Sequence, residues 1–335
     1  MTTHCFVNLD TNRYSKRNLA MSSASTSLHR INADRKLNTL SKVLYLTLNW
    51  LNNQLPYTAV DPAMAIEDFR CDISEAQWQT LGQTSSPSRK LSDLFWQALP
   101  WVSINKELGP IQFVDCGCGG GNYGPKLLNW CKSGNAQYLG IDATFSNQWQ
   151  DLTNLDQRLQ FLQVDANTVG KHLPEKANLF ISQSAVEHFD DDLIFFSTLK
   201  NFIIKNKRPT IQIHLFPSAA CLLLYLLHGV RQYTPRTISQ ITKLFRPFSY
   251  AVLYRLGGKA CNRLHYDFIT WPLLIKKTVD LRQTRTDEYD QSLRNAIRAD
   301  MLHPQSSPAF WALVVHSHPT TQLFGKDASS PSAND

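Results

Sequence analysis

The run Phe113-Val114-Asp115-Cys116-Gly117-Cys118-Gly119-Gly120-Gly121-Asn122-Tyr123-Gly124 constrains this chain more than any other stretch. An apolar strand runs into an acid, a glycine-rich turn follows, and a helix begins near Pro125. Glycines at 117, 119 and 121 take away the Cβ atoms that would hold a ligand off the backbone. The helix that follows offers free N–H groups and the positive end of its dipole. The pattern predicts an α/β fold with a nucleotide-type cofactor at the carboxyl end of its first parallel strand.

The downstream spacing extends the pattern. Gln137-Tyr138-Leu139-Gly140-Ile141-Asp142 reads as a second strand ending in an acid, where nucleotide-binding α/β folds place a carboxylate on ribose hydroxyls. Phe161-Leu162-Gln163-Val164-Asp165-Ala166 reads as a third strand, and Asn178-Leu179-Phe180-Ile181-Ser182-Gln183-Ser184-Ala185-Val186-Glu187-His188-Phe189 as a fourth with its exit loop. Taken singly, each acid reads as a solvated loop residue. The order of all four segments is far more specific. Gly119 to Gly124 also satisfies G-x-G-x-x-G, so a nicotinamide dinucleotide stays open as an alternative cofactor.

The acid-x-Gly-x-Gly-x-Gly order and the Ser-x-x-x-Val-Glu-His exit resemble the class I S-adenosylmethionine (SAM)-dependent methyltransferases. The resemblance implies a Rossmann-like seven-stranded sheet with an antiparallel last strand. It implies cofactor contacts at Asp115, Gly117, Gly119, Gly121, Tyr123, Asp142, Asp165, Ala166 and Ser182. Asp115 would meet the cationic amino acid end of SAM, Asp142 the ribose and Asp165 the adenine amino group. The segments around Leu94-Phe95-Trp96, His228 to Thr234, Leu256 to Lys259 and Leu264-His265-Tyr266 resemble bacterial methyltransferases encoded beside glycan-assembly enzymes.

Apolar periodicity and turn residues mark the remaining elements. Leu40 to Leu55 carries Val43, Leu44, Leu48 and Leu51 at helical spacing, and Ile66 to Leu81 and Leu91 to Ile104 read as further helices, with Ser85 to Ser88 a loop between them. Thr210 to Phe216 is the fifth strand, and Thr234-Pro235 caps and opens a helix to about Phe245. Phe248 to Tyr254 and Phe310 to His316 are the last two strands, and Leu281 to Met301 is helical between them. The expected organisation is a flexible tail over 1–36, a helical leader over 37–108, a SAM-binding domain over 109–318 with an insertion over 256–308, and a disordered tail over 319–335. Leader and insertion would shape the acceptor site.

The formal charge of +7 permits an anionic partner, and a nucleic-acid methyltransferase is an alternative on that ground alone. The turn after the fourth strand lacks the Asn/Asp-Pro-Pro-aromatic sequence of enzymes that methylate exocyclic amino groups of bases, and no Pro-Cys pair offers a nucleophile for cytosine. The preferred acceptor is a hydroxyl of a small molecule or glycan. His188 is the candidate base, with His214 and His265 as rivals. Asp190-Asp191-Asp192 reads as capping residues rather than a metal site, and the expected chemistry needs no metal. Seven cysteines without Cys-x-x-Cys spacing argue against structural zinc, and the lack of a secretory signal suggests a reducing, cytoplasmic setting. An organelle leader is disfavoured by Asp10 and Asp34, and Met21 is an alternative start. Leu215 to Val230 is strongly apolar but too short to span a bilayer, and reads as a buried helix or, less simply, an interfacial one.

Overall fold

Apolar alternation along β2 (Gln112–Cys116) sets up a two-sided core. Phe113 joins the apolar cluster on one face of the sheet and Val114 the cluster on the other. The computed structural model describes residues 24–55, 58–166, 168–303 and 305–326. Its single sheet comprises β1 (Met64–Asp68), β2, β3 (Gln137–Asp142), β4 (Leu159–Gln163), β5 (Leu179–Gln183), β6 (Thr210–Pro217), β7 (Ser249–Leu256) and β8 (Phe310–Ser317). The order is β1-β7-β8-β6-β5-β2-β3-β4, and only the two pairs made by β8 are antiparallel. This is the Rossmann-like sheet with an antiparallel last strand that the sequence predicts, with one strand, β1, added at its edge. Progression reverses between β2 and β5, so the crevice beyond their carboxyl ends is the topological switch point.

One face is covered by helices 87–98, 101–108 and 123–131 together with the insertion helix 286–302, through residues such as Leu94, Leu127 and Leu293. The other is covered by helices 192–206 and 235–245, through Phe196, Leu199 and Ile238. Thr234 and Thr237 form a reciprocal capping box at the start of the second of these, with Pro235 in its first turn.

Several elements differ from the sequence expectation. The segment at Ile66 is strand, not helix: β1 pairs in parallel with β7, and Arg255 meets Asp68 at 2.7 Å. An open strand edge supplies backbone partners that periodicity does not report. Helix begins only at Glu75, where Ser74 accepts from Gln77 N at 3.1 Å. The helix expected over 91–104 is two, because Pro100 holds Leu99 extended at ψ 144°. Ser86 and Pro87, expected in a loop, are the N-cap and first residue of helix 87–98.

The tail expected over 1–36 is packed chain from residue 24, while residues 1–23 lie outside the described residues. Thr26 donates from its N and Oγ1 to the buried Asp192, and Ser25 Oγ accepts from Arg231 at 2.9 Å. Arg231 is itself fully buried and also donates to the carbonyls of Phe189 and Asp190. A buried guanidinium needs such partners, and the N-terminal segment supplies part of them. At the other end Phe324 is buried and Leu323 N donates to Tyr250 Oη, so the expected C-terminal tail is packed over 319–326, and 327–335 lie outside the described residues. The stretch 215–230 holds the end of β6 and a short helix, Cys221–Tyr225. No helix among the described residues is long and apolar enough to cross a membrane.

Candidate active site

The chain leaves β2 through a turn fastened to its neighbour. Gly117 N and Cys118 N both donate to Ile141 O, at 2.7 and 3.1 Å. Gly119 N donates to Asp142 Oδ2 at 2.8 Å, and Thr144 N to Asp142 Oδ1 at 2.8 Å. The glycines do different work. A Cβ on Gly121 would lie 2.4 Å from the Phe161 ring, so that glycine serves close packing. A Cβ on Gly119, at φ +54°, would meet nothing within 4 Å. The space over Gly119 is open, which is what a ligand approaching the backbone needs.

That space belongs to a cavity of about 480 Å³, within the range of small-molecule sites. Its walls carry Gly117, Gly119, Asp142, Asp165, Ala166 and His188 of the expected residues. The others are placed elsewhere. Asp115 is buried under the loop, its Oδ2 accepting from Tyr138 Oη at 2.6 Å and its Oδ1 without a partner. Burial raises its pKa to about 7, against the lowering effect of the Tyr138 hydrogen bond. Gly121 packs on Phe161, and Tyr123 donates to Asp93 at 2.6 Å, away from the cavity. Ser182 is buried against His214 Nδ1 at 2.8 Å. Burial lowers His214 to about 3 and His265 to about 4, and His265 is held by Thr270. Neither rival histidine lines the cavity. Burial pushes the thiols of Cys116 and Cys118 upward, which suits packing rather than nucleophilic chemistry.

Asp34 and Ser184, to which the sequence assigns no role in the site, add to the wall, and a buried cluster lies behind His188. Asp34 Oδ2 lies 2.6 Å from His188 Nδ1, and Asp34 Oδ1 accepts from Gly229 N at 3.2 Å. Burial is the largest influence on the Asp34 carboxylate and raises its pKa, but the His188 hydrogen bond and charge, the Gly229 N–H and the His228 charge together outweigh it and hold the pKa below the usual range. Ser184 is a non-glycine residue at φ +55° at the end of β5, donating to Glu187 Oε1 at 2.6 Å. Strain of this kind concentrates at functional sites. Glu187 is fully buried, and its Oε1 lies 3.9 Å from His188 Nε2 and 3.7 Å from His228 Nε2. Burial lowers the His228 pKa, but Glu187, then Asp34, more than reverse this and hold it above the ordinary histidine value. Donor atoms of Glu187, His188 and His228 all lie within 4.8 Å of one another, the arrangement among the described residues that could hold a cation. The run Asp190 to Asp192 does not cap its helix by side-chain bonds. Its members pair with Arg35, Arg30 and Arg231.

The residues fit a nucleoside cofactor on two observations: the open space over Gly119, and the acids of β3 and the β4 exit facing one cavity. No protein-family model matches the sequence, and no curated protein matches it. Among solved structures it is similar to the plantazolicin methyltransferase BamL, crystallised with a desmethyl-plantazolicin analogue and SAH (13% identity, 68% of this chain and 85% of that chain, TM-score 0.41). It is similar to a SAM-dependent methyltransferase from Archaeoglobus fulgidus (14% identity, 67% and 94%, TM-score 0.40). A cyclopropane-fatty-acyl-phospholipid synthase-like protein from Lactobacillus casei is similar at 14% identity, 73% and 100% coverage and a TM-score of 0.39. At these identities the likeness is one of chain path, and the chemistry is read from the site.

Proposed function

We propose that this chain is a SAM-dependent methyltransferase whose acceptor is a hydroxyl of a small molecule or sugar. The observation that supports it is the convergence of the glycine turn, Asp142, Asp165, Ala166 and His188 on one cavity at the topological switch point. Asp142 would take the ribose hydroxyls, Asp165 and Ala166 the adenine end, and the Gly119 backbone would pass against the cofactor. Bound SAM supplies a methyl already activated by its cationic sulfur.

The chain's own residues then have two tasks. They hold the acceptor oxygen in line at about 3 Å, where proximity and orientation supply much of the rate. They also accept the hydroxyl proton. His188 serves the second task. With Nδ1 bonded to Asp34, Nε2 is the nitrogen left to take a proton, the arrangement by which a carboxylate orients a histidine base. Glu187 Oε1, 3.7 Å from His228 Nε2, raises the His228 pKa, which favours a cation internal to the cluster.

Calorimetry with SAM, its demethylated product and NAD tests the cofactor. SAM and its product should bind. Tight NAD binding with no SAM binding would overturn the reading in favour of an oxidoreductase. Mass spectrometry of glycans and small metabolites from cells with and without the gene identifies the acceptor. The expected difference is a species one CH₂ heavier in the first.

A further inference from the structure

Helix 39–54 is inside out for a water-facing helix. It buries Tyr45, Asn49 and Asn52, while Leu40 is 69% exposed, Val43 56% and Trp50 56%. The buried polar side is tied to neighbouring chain: Tyr45 Oη donates to His228 O at 2.6 Å, Asn49 Nδ2 to Val230 O at 3.3 Å, and Asn52 Oδ1 accepts from Leu28 N at 3.0 Å. The apolar side has nothing over it among the described residues.

That side is not isolated. Helix 39–54 packs on the short helix 221–225, where Leu223 is 72% exposed, and this packs on the π-helical segment 266–275. There Trp271 and Ile275 are exposed. Exposed apolar side chains thus recur on three elements packed in series, and exposed apolar surface on a water-facing protein marks an interaction site. Its charge is one-sided. Lys36, Lys42, Lys276 and Lys277, on or next to these elements in the chain, are exposed. Residues 35–55, 221–233 and 266–279 contain a single acid, Asp267, which is paired with Arg263 at 2.7 Å.

Apolar side chains ringed by lysines, with tryptophans among them, are what a bilayer interface selects. Acyl chains take the apolar groups, lipid phosphates take the lysines, and Trp sits at the headgroup level. A second copy of this chain is a poor occupant. A two-fold contact would set the same lysines of both copies against each other. We propose that this face rests on an anionic lipid bilayer and that the acceptor is an amphiphile held in that bilayer. The second part rests on the methyltransferase reading, and the first does not. The geometry favours such an acceptor because helix 39–54 hangs from the His228–Val230 loop, whose His228 ring lies 4.7 Å from that of His188.

The test is flotation of the full chain with phosphatidylcholine vesicles, with and without phosphatidylserine, across salt. Binding should require phosphatidylserine, weaken as salt rises, and disappear in the double variant Leu44→Glu/Trp271→Glu. Lys276→Gln and Lys277→Gln should each weaken it about fivefold. Circular-dichroism melting reports folding of every variant, and calorimetry with SAM separates the two parts: absence of SAM binding in the wild type sinks the methyltransferase reading, not the docking. No wild-type flotation, or flotation undiminished in the double variant, overturns the proposal. A wild-type dimer that the double variant dissociates, without vesicle binding, assigns the face to self-association instead. Flotation that appears only after removal of residues 1–23 makes those residues the occupant and equally overturns it.

Discussion

The carboxylate of Asp34 lies 2.6 Å from Nδ1 of His188, although 154 residues separate them. An oriented base contributes roughly 10²–10⁴-fold to a proton-coupled transfer. His188→Ala should therefore lose turnover in that range while SAM affinity holds. Asp34→Ala should lose turnover in the same direction, because His188 keeps its place on the wall but not its tautomer. Single-turnover assays at saturating SAM check both. Wild-type turnover in His188→Ala would exclude it as base, and His214 and His265, which lie off the cavity, could not replace it.

Gly119→Val should abolish SAM binding in a folded protein. The residue sits at φ +54° with open space above it, so a branched side chain is strained and occupies the ligand's approach. Gly121→Ala should act on the fold instead, because its Cβ would strike the Phe161 ring. A fall in Tm for Gly121→Ala beyond that for Gly119→Val, with binding lost chiefly in the latter, is the expected contrast.

Asp142→Ala should weaken SAM by about 1.5–3 kcal/mol, the scale of hydrogen bonds to a charged group. The variant also leaves Gly119 N without its partner, so the turn loosens at the same point. Calorimetry measures the change, and an unchanged dissociation constant would reject the ribose assignment.

Asp115 ties stability to pH. Burial raises its pKa to about 7, so the folded state holds a proton that the unfolded chain releases near pH 4. More protons bound in the folded state means stability falls as pH rises between those values. Asp115→Asn keeps an acceptor for Tyr138 Oη and removes the titration. Its Tm should match the wild type near pH 4 and exceed it at pH 8, as thermal denaturation across pH can show.

Chelation separates the two uses of the Glu187, His188 and His228 cluster. With Glu187 raising the His228 pKa and so favouring an internal cation, turnover should survive exhaustive treatment with EDTA. A loss that added divalent cation restores would make the cluster a metal centre.

The glycine turn, the three acids at strand ends and the capping pair Thr234-Pro235 were legible because each is written within a few residues. Steric freedom at glycine, a carboxylate at a strand terminus and a capped helix start are local properties. The sequence by itself therefore determined the Rossmann-like sheet, the position of its glycine turn and the candidacy of His188. It did not show that Tyr123 and Ser182 face away from the cavity. Side-chain direction there depends on Asp93 and His214, partners 30 and 32 residues distant. Nor did it show β1, whose backbone partners belong to β7 across the leader, or Asp34, whose segment is ordered by the buried charges of Arg231 and Asp192. Helix 39–54 was legible as a helix. Its orientation was not, because apolar periodicity gives a face but not its neighbour. Which side turned inward was decided by the carbonyls of the 228–230 loop, which required donors from Tyr45 and Asn49. Long-range hydrogen bonds and buried charges made these choices, and they exist only once the chain has closed on itself.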